Sequence, residues 1–321
     1  MIIATTADNL YKELVKHILV YGVTELTRAG PALVLPTPTM FCLRNPTHRV
    51  VQNSVRNANH AFHISEAMWM LDGDNNGRHL DKYIHDFSSR FGETDGSIHD
   101  AYGRRWISHF GFNQIKEVVH ILQNDKHSRQ AVIGMWDPIV DLRAKTKTRP
   151  CNLQLLFRVN NGYLDMTVTN RSNDLIWGAL GANIVHMTIL QEVIASLIGI
   201  PLGRYYVISN NLHMYKIHEK MAEESLKFTP VHMTPEPIVT DRSCFFKEVS
   251  MWNKGLSGAD YDYKNKWIVN TVGHVQQTFA SAKNKDYATA RENLSSIECP
   301  SWWMGMTNWI TSGMKKANNE K

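Results

Sequence analysis

The segment RPCNLQLLFRVNNGYLDMTVTNRSND, from Arg149 to Asp174, decides the fold class. Residues 153–159 form a run suited to a strand, and in residues 163–169 Leu164, Met166 and Val168 alternate with other residues. Asn160-Asn161-Gly162 separates the two runs, and such a tripeptide between strand-like segments is a strong hairpin signal. The spacing therefore predicts a hairpin with Cys151 at the mouth of its first strand and Arg171 at the end of its second. A free thiol titrates near 8.5, so a nucleophilic cysteine needs positive charge close by. Arg149 and Arg171 are placed to supply it, whereas Cys42, Cys244 and Cys299 have no such company and read as structural.

Outward from the hairpin, Leu10, Leu14, Val15, Ile18 and Leu19 predict a helix over 7–21. A second apolar stretch, 59–71, predicts a helix that stops at Asp72-Gly73-Asp74-Asn75-Asn76-Gly77. Helices are also expected around 115–122, 184–198 and 266–283, and strands over 131–136 and 205–209. Strands and helices do not alternate regularly, which predicts one α+β domain over 1–321. The end of the chain reads as polar, without a clear element.

The four cysteines are far apart, which argues for a reducing, cytoplasmic setting and against a disulfide framework or a metal site. No apolar run approaches the roughly 20 residues of a membrane span, and the first residues lack the pattern of a secretory signal. The net charge of +5 is modest, and apart from Arg143–Arg149 the basic residues are scattered. That suits a small anionic ligand better than a nucleic acid.

Several polar residues stand out against apolar neighbours. Glu66 lies within Ser65-Glu66-Ala67-Met68-Trp69-Met70-Leu71, where a carboxylate either faces solvent or is a buried acid poised for proton transfer. Asn183 lies on an apolar helix, and His213 and Tyr215 lie in a strand-like segment; each equally fits a satisfied core position. Taken with Cys151, Arg171 and Ser172, they are the groups needed to hold a nucleoside monophosphate and attack its base.

These segments resemble the thymidylate synthase superfamily of folate-dependent pyrimidine one-carbon transferases, which includes the phage nucleotide hydroxymethylases. The resemblance runs over about 8–220 and leaves 221–321 as a helical region without an assigned role. Gly22–Arg28 resembles the family's phosphate loop, Glu66-x-x-Trp69 with Gly73-Asp74-x-Asn76 its next signature, and Tyr102-Gly103-x-x-Trp106 the one after. Asp125–Arg129 is similar to the segment donated across the dimer interface, Pro150-Cys151 to the nucleophile, Arg171-Ser172-x-Asp174 to the phosphate and folate strand, and His213-x-Tyr215 to the sugar-binding pair.

The resemblance implies a thymidylate synthase-like fold with a large sheet paired across a homodimer, and 5,10-methylenetetrahydrofolate as co-substrate without a metal. Cys151 would be the nucleophile, Glu66 and Tyr102 proton-handling groups, and Asn152 would stand where the family has a catalytic histidine. Arg28, Arg171, Ser172 and the partner-donated Arg129 would bind phosphate, Asn183 the base, and His213 and Tyr215 the sugar. Asp174, Trp69 and Trp177 would contact the folate.

Departures from the family pattern bear on the outcome. Gln130 replaces a second interface arginine, Asn170 replaces a glutamine, and Asn210-Asn211-Leu212-His213 replaces Gly-Asp-x-His. Gly178–Asn183 is one residue longer than expected, so either Asn183 or Ala182 reaches the base. His85 stands in the expected place of a tryptophan that keeps the site dry, and the carboxyl terminus is polar rather than apolar. These features favour hydration of the transferred carbon, giving hydroxymethyl-dUMP or hydroxymethyl-dCMP. Reductive methylation, as in a thymidylate synthase, and a non-catalytic nucleotide- or RNA-binding paralogue are the competing readings.

Overall fold

The structure, a computed structural model, describes residues 1–143, 145–231, 233 and 237–319, with side chains described through 314. Strand β1 is Ile2–Ala4, β2 Val23–Thr27, β3 Gly30–Val34, β4 Thr39–Leu43 and β5 Val132–Gly134. Strand β6 is Asn152–Asn160, β7 Tyr163–Asn170, β8 Asn173–Asp174, β9 Leu202–Ser209 and β10 Leu212–Tyr215. They build a mixed six-stranded sheet in the order β1-β4-β9-β7-β6-β5 and a four-stranded sheet in the order β2-β3-β10-β8.

The β6–β7 hairpin turns on Asn161 and Gly162, both with positive φ (51° and 83°), the backbone that an Asn-Gly pair adopts with least strain. Leu155 faces Val168, Phe157 faces Met166 and Val159 faces Leu164, which puts one apolar face of the hairpin into the core. The register slips between Asn152 and Gln154, so two residues of β6 oppose one of β7. Such a bulge re-aims the side chains at the strand mouth, where Cys151 and Asn152 lie.

The helix Ala7–Tyr21 has the expected bounds and is capped by Thr6, whose side chain accepts from the Asn9 amide. In the helix His60–Leu71 every residue except Glu66 is buried, because other elements pack around it on all sides. The helix Asn183–Ile198 covers one flank and helices of the last hundred residues cover another. Asn253 Nδ2 donates to Met68 O at 2.8 Å, Gln276 Nε2 to Ser65 Oγ at 3.0 Å and Asn308 Nδ2 to Gln52 O at 2.6 Å. The region after 220 thus roofs the helix that carries Glu66.

Two expectations are corrected. The polar-looking end contains the helix Pro300–Asn319, whose Trp302, Met306 and Ile310 are buried at helical spacing; the side chains of Lys315–Lys321, read as a poor cap, lie outside the described residues. The helical stretch Leu175–Ile198, of 24 residues, is long and apolar enough to match a membrane span, against the reading that no run approaches that length. Because 78% of its apolar window is buried inside the protein, it is a core helix.

Candidate active site

The hairpin mouth brings a thiol and a guanidinium together. Arg171 N donates to Cys151 O at 3.0 Å, which continues the ladder beyond the paired Asn152 and Asn170. The Arg171 guanidinium is tied to the opposite strand: Nε donates to Pro150 O at 2.7 Å and Nη2 to Arg149 O at 3.0 Å. Its Nη2 also lies 3.6 Å from Cys151 Sγ. Burial pushes the Cys151 thiol up, Arg171 pulls it back down, and the carboxyl of Asp100 adds a smaller upward push. With these groups alone the thiol stays protonated at neutral pH.

On one side, Arg171 and Ser172 line a cavity of about 470 Å³ with Arg28, His213 and Tyr215. The four-stranded sheet assembles it. Arg28 sits at the β2–β3 turn, while β10 pairs antiparallel to β3 and parallel to β8, placing His213 opposite Asp174. His213 Nδ1 lies 2.9 Å from Asn211 Oδ1, which holds the imidazole at the rim.

On the other side, the Tyr102 hydroxyl accepts from Cys151 N at 3.1 Å and from Asn152 N at 3.2 Å. Gly103 makes this possible: a Cβ there would overlap the backbone of Met70, so the Tyr102–Ile107 helix can lie directly on the end of the Glu66 helix. Tyr102 lines a cavity of about 170 Å³ with Glu66, Trp69, Phe87, Asp100 and Thr148. Glu66 is thus an acid only 15% exposed, turned into this cavity rather than toward open solvent. Burial first, and Asp100 second, push its carboxyl up to about 8. Its Oε2 lies 3.2 Å from His186 Nε2, which is also 3.2 Å from His63 O. Burial lowers His186 to about 3, so the imidazole is neutral and this contact is not an ion pair.

Between the cavities runs a closed ring of four amides. Asn170 Nδ2 donates to Asn152 Oδ1, Asn152 Nδ2 to Asn183 Oδ1 at 3.4 Å, Asn183 Nδ2 to Asn173 Oδ1 at 3.3 Å, and Asn173 Nδ2 to Asn170 Oδ1 at 3.3 Å. Asn183, not Ala182, joins the ring. Leu175–Ala182 is wound as a π-helix, with non-helical backbone at Leu180 and Gly181. A π-turn is how a helix absorbs one extra residue, which accounts for the long segment seen in the sequence.

Asp174 Oδ1 caps this helix, accepting from Ile176 N and Trp177 N at 2.7 Å each. Its Oδ2 is buried without a hydrogen-bond partner, and burial raises the carboxyl. Trp177 is 55% exposed, stacks under the guanidinium of Arg56 and donates from Nε1 to His218 at 2.9 Å. Trp69 is a buried wall whose Nε1 donates to Asn76 O at 3.2 Å.

Arg129 is not brought to these cavities. It lines a separate hollow with Lys126, His127 and Arg158. His85 is 91% exposed and paired to Asp86, and it does not line the Glu66 cavity, whose aromatic wall is Trp69, Phe87, Phe91 and Tyr102. Asp100, His186, Arg56 and Asn173 were missed in the sequence. A carboxylate two residues before Tyr102 and a histidine three after Asn183 were the available signals for the first two. Among the described residues no group of three His, Cys, Asp or Glu side chains gathers to hold a metal.

The family description "Thymidylate synthase" matches residues 9–269, and the chain belongs to the thymidylate synthase family. It is 40% identical over 196 residues to the deoxyuridylate hydroxymethyltransferase of Pseudomonas phage M6, covering 61% of this chain and 56% of that one. It is 32% identical over 251 residues to the protein of the same name from Bacillus phage SP01, covering 73% and 64%. A thymidylate synthase of Buchnera aphidicola is 26% identical over 181 residues, covering 55% and 67%. The chain spans less than two thirds of the length of the two phage relatives.

Proposed function

We propose that this protein transfers a one-carbon unit from 5,10-methylenetetrahydrofolate to C5 of a pyrimidine deoxynucleoside monophosphate, dUMP before dCMP, and releases the hydroxymethyl nucleotide. One observation carries the reading: Cys151 is held between Arg171, which lines an arginine-bearing cavity, and Tyr102, which lines a carboxyl-bearing one. Arg28, Arg171 and Ser172 would take the phosphate, where guanidinium forks match the oxygens. His213 and Tyr215 would take the sugar, and Asn183 the base edge.

The residues also fit a folate. The unpartnered Asp174 Oδ2 awaits a donor, and Trp69 and Trp177 offer aromatic surface near it and near Glu66. When bound, the folate supplies a one-carbon unit at the oxidation level of formaldehyde. Cys151 adds to C6, and the electron pair moves through C5 onto the C4 carbonyl oxygen, which makes C5 nucleophilic. Glu66, protonated at neutral pH, holds a proton for the base, and Tyr102 guides departure of the C5 proton. We take hydration of the resulting exocyclic methylene over reduction; Glu66 and Asp100, on the wall of a mainly apolar cavity, would be the polar partners of the water. The phage relatives named as deoxyuridylate hydroxymethyltransferases support the same choice. Mass spectrometry on dUMP and dCMP mixed with the folate tests it. We expect a product one CH₂O unit heavier than dUMP and no dihydrofolate; a CH₂ increment with dihydrofolate would establish the reductive alternative.

We further propose a homodimer through the outer face of the large sheet. Exposed Ile3, Met40, Val132 and Ile208 lie on that sheet, with Met40 and Ile208 in register, and Arg129 lies in its own basic hollow. Pairing would carry Arg129 to the partner's phosphate. Mixing inactive Arg129→Ala and Cys151→Ala subunits is then expected to restore activity, because one mixed site regains both residues. Two inactive parents that stay inactive after subunit exchange refute the trans arrangement.

A further inference from the structure

Asp100 is the one carboxyl of the site that the reaction as described leaves idle. It sits two residues before Tyr102, on a segment held by buried groups. Ile98 N donates to Asn75 O at 2.8 Å, and Arg105 Nη2 donates to His99 O at 3.1 Å. Its carboxyl does not cap the helix that follows, whose first amides receive no side-chain bond. Instead Oδ1 accepts from Thr148 Oγ1 at 2.6 Å, and no side chain among the described residues donates to Oδ2. The carboxyl lines the 170 Å³ cavity opposite Glu66, among Trp69, Met70, Phe87, Phe91 and Ile98. A bound water fills about 30 Å³ and needs two to four polar partners. This cavity has the room, and Glu66, Asp100 and Tyr102 are the partners.

We infer that Asp100 is a catalytic residue of the hydration step, accepting the proton of the water that adds to the one-carbon unit on the nucleotide. The inference rests on the hydroxymethyl reading above. The step balances: water oxygen bonds to the exocyclic carbon, and one water proton passes to Asp100 Oδ2. The C5–methylene π pair returns to the ring and onto the carbonyl oxygen as an enolate. The enolate then re-forms C5=C6 and expels the Cys151 thiolate, with no change in oxidation level.

The electrostatics divide the labour between the two acids. The groups facing Asp100 are Glu66, Cys151, Tyr102, Arg105 and His99. Burial raises both carboxyls, but Asp100 is held back by the Thr148 bond, its backbone, Arg105 and His99, while Glu66 has the charge of Asp100 against it. Near neutral pH Glu66 therefore keeps its proton, while on Asp100 the Thr148 bond and the nearby cations oppose the upward push of burial.

The test uses the full chain with dUMP tritiated at C5 and the methylene folate. In Asp100→Asn, dUMP affinity by calorimetry is expected to change less than about twofold, and tritium release to continue within about tenfold of wild type. Hydroxymethyl product should fall roughly 100-fold or more, so that tritium release outruns product. Asp100→Glu should recover part of the product. Thr148→Val serves as the milder variant: loss of its hydrogen bond should move the acid limb of product formation to higher pH, with dUMP affinity unchanged. Parallel loss of tritium release and product, unchanged product in Asp100→Asn, or an unmoved limb in Thr148→Val would each overturn the assignment. A wild-type product heavier by CH₂ would instead remove the hydroxymethyl reading itself, whatever the Asp100 variants do.

Discussion

Cys151→Ala is expected to lower kcat/KM by at least ~10⁴-fold while leaving dUMP affinity within about threefold. The asymmetry follows from the geometry. Arg171 is anchored by Pro150 O and Arg149 O, so loss of the sulfur leaves its guanidinium in place to bind phosphate. The amide at position 151 still donates to the Tyr102 hydroxyl, so the carboxyl-bearing cavity keeps its wall. On the proposed mechanism what disappears is the thiol that bonds C6, and without that bond C5 gains no nucleophilic character. Cys151→Ser should be nearly as inactive, because a hydroxyl in a setting that already raises a thiol is harder still to ionise. Calorimetry for dUMP beside steady-state rates decides the matter. Variants that keep more than a tenth of wild-type turnover would show that chemistry does not pass through this sulfur, and would favour a binding protein without covalent catalysis.

Asp141→Ala is expected to cost about 3–5 kcal/mol of folding free energy, the largest stability loss we anticipate from one polar substitution. Asp141 and Arg105 are both fully buried, joined by Nη1 to Oδ2 at 2.7 Å and Nη2 to Oδ1 at 2.8 Å. Asp141 also accepts from Asp137 N at 2.8 Å and lies 2.9 Å from His99 Nε2. Removing it strands a guanidinium in the interior with Met135 O and His99 O as its remaining partners. The pairing lowers the Asp141 carboxyl below its usual range, so its stabilising contribution is complete above the unfolded value near 3.8 and is lost as pH falls through the lower folded value. The variant and wild type should therefore converge in strong acid and differ most near neutrality. Urea unfolding across pH measures both, and a difference under about 1 kcal/mol at pH 7 would mean that the pair carries little. Activity should fall further than stability explains, because Arg105 and His99 fix the segment bearing Asp100 and Tyr102.

How much of this was legible in the sequence depended on range. The 7–21 helix and the Asn161-Gly162 hairpin are written in local periodicity and turn chemistry, and they emerge with nearly the expected bounds. Glu66 was visible because a carboxylate inside an apolar helix is anomalous in any context. Asp100 was not, since its surroundings are polar in sequence and its partner Thr148 lies 48 residues away. The asparagine ring was equally hidden: its members come from β6, β7, β8 and a helix, and meet only through strand register. Family patterning pointed to a one-residue excess before Asn183, but only the wide helical turn shows where the excess goes. The terminal helix went unread because its buried Trp302, Met306 and Ile310 are diluted by polar neighbours.

That ring has a sense of circulation, since each member gives one hydrogen to the next and takes one from the last. An aspartate at position 183 would have nothing to give Asn173, and two oxygens would then face each other at that corner. Reversing the other three amides would only move the clash to the Asn152 corner, since three donors cannot fill four links, so relief would require a second change. A carboxylate at 183 is thus not an isolated change: it alters the hydrogen bonds of 152, 170 and 173 together.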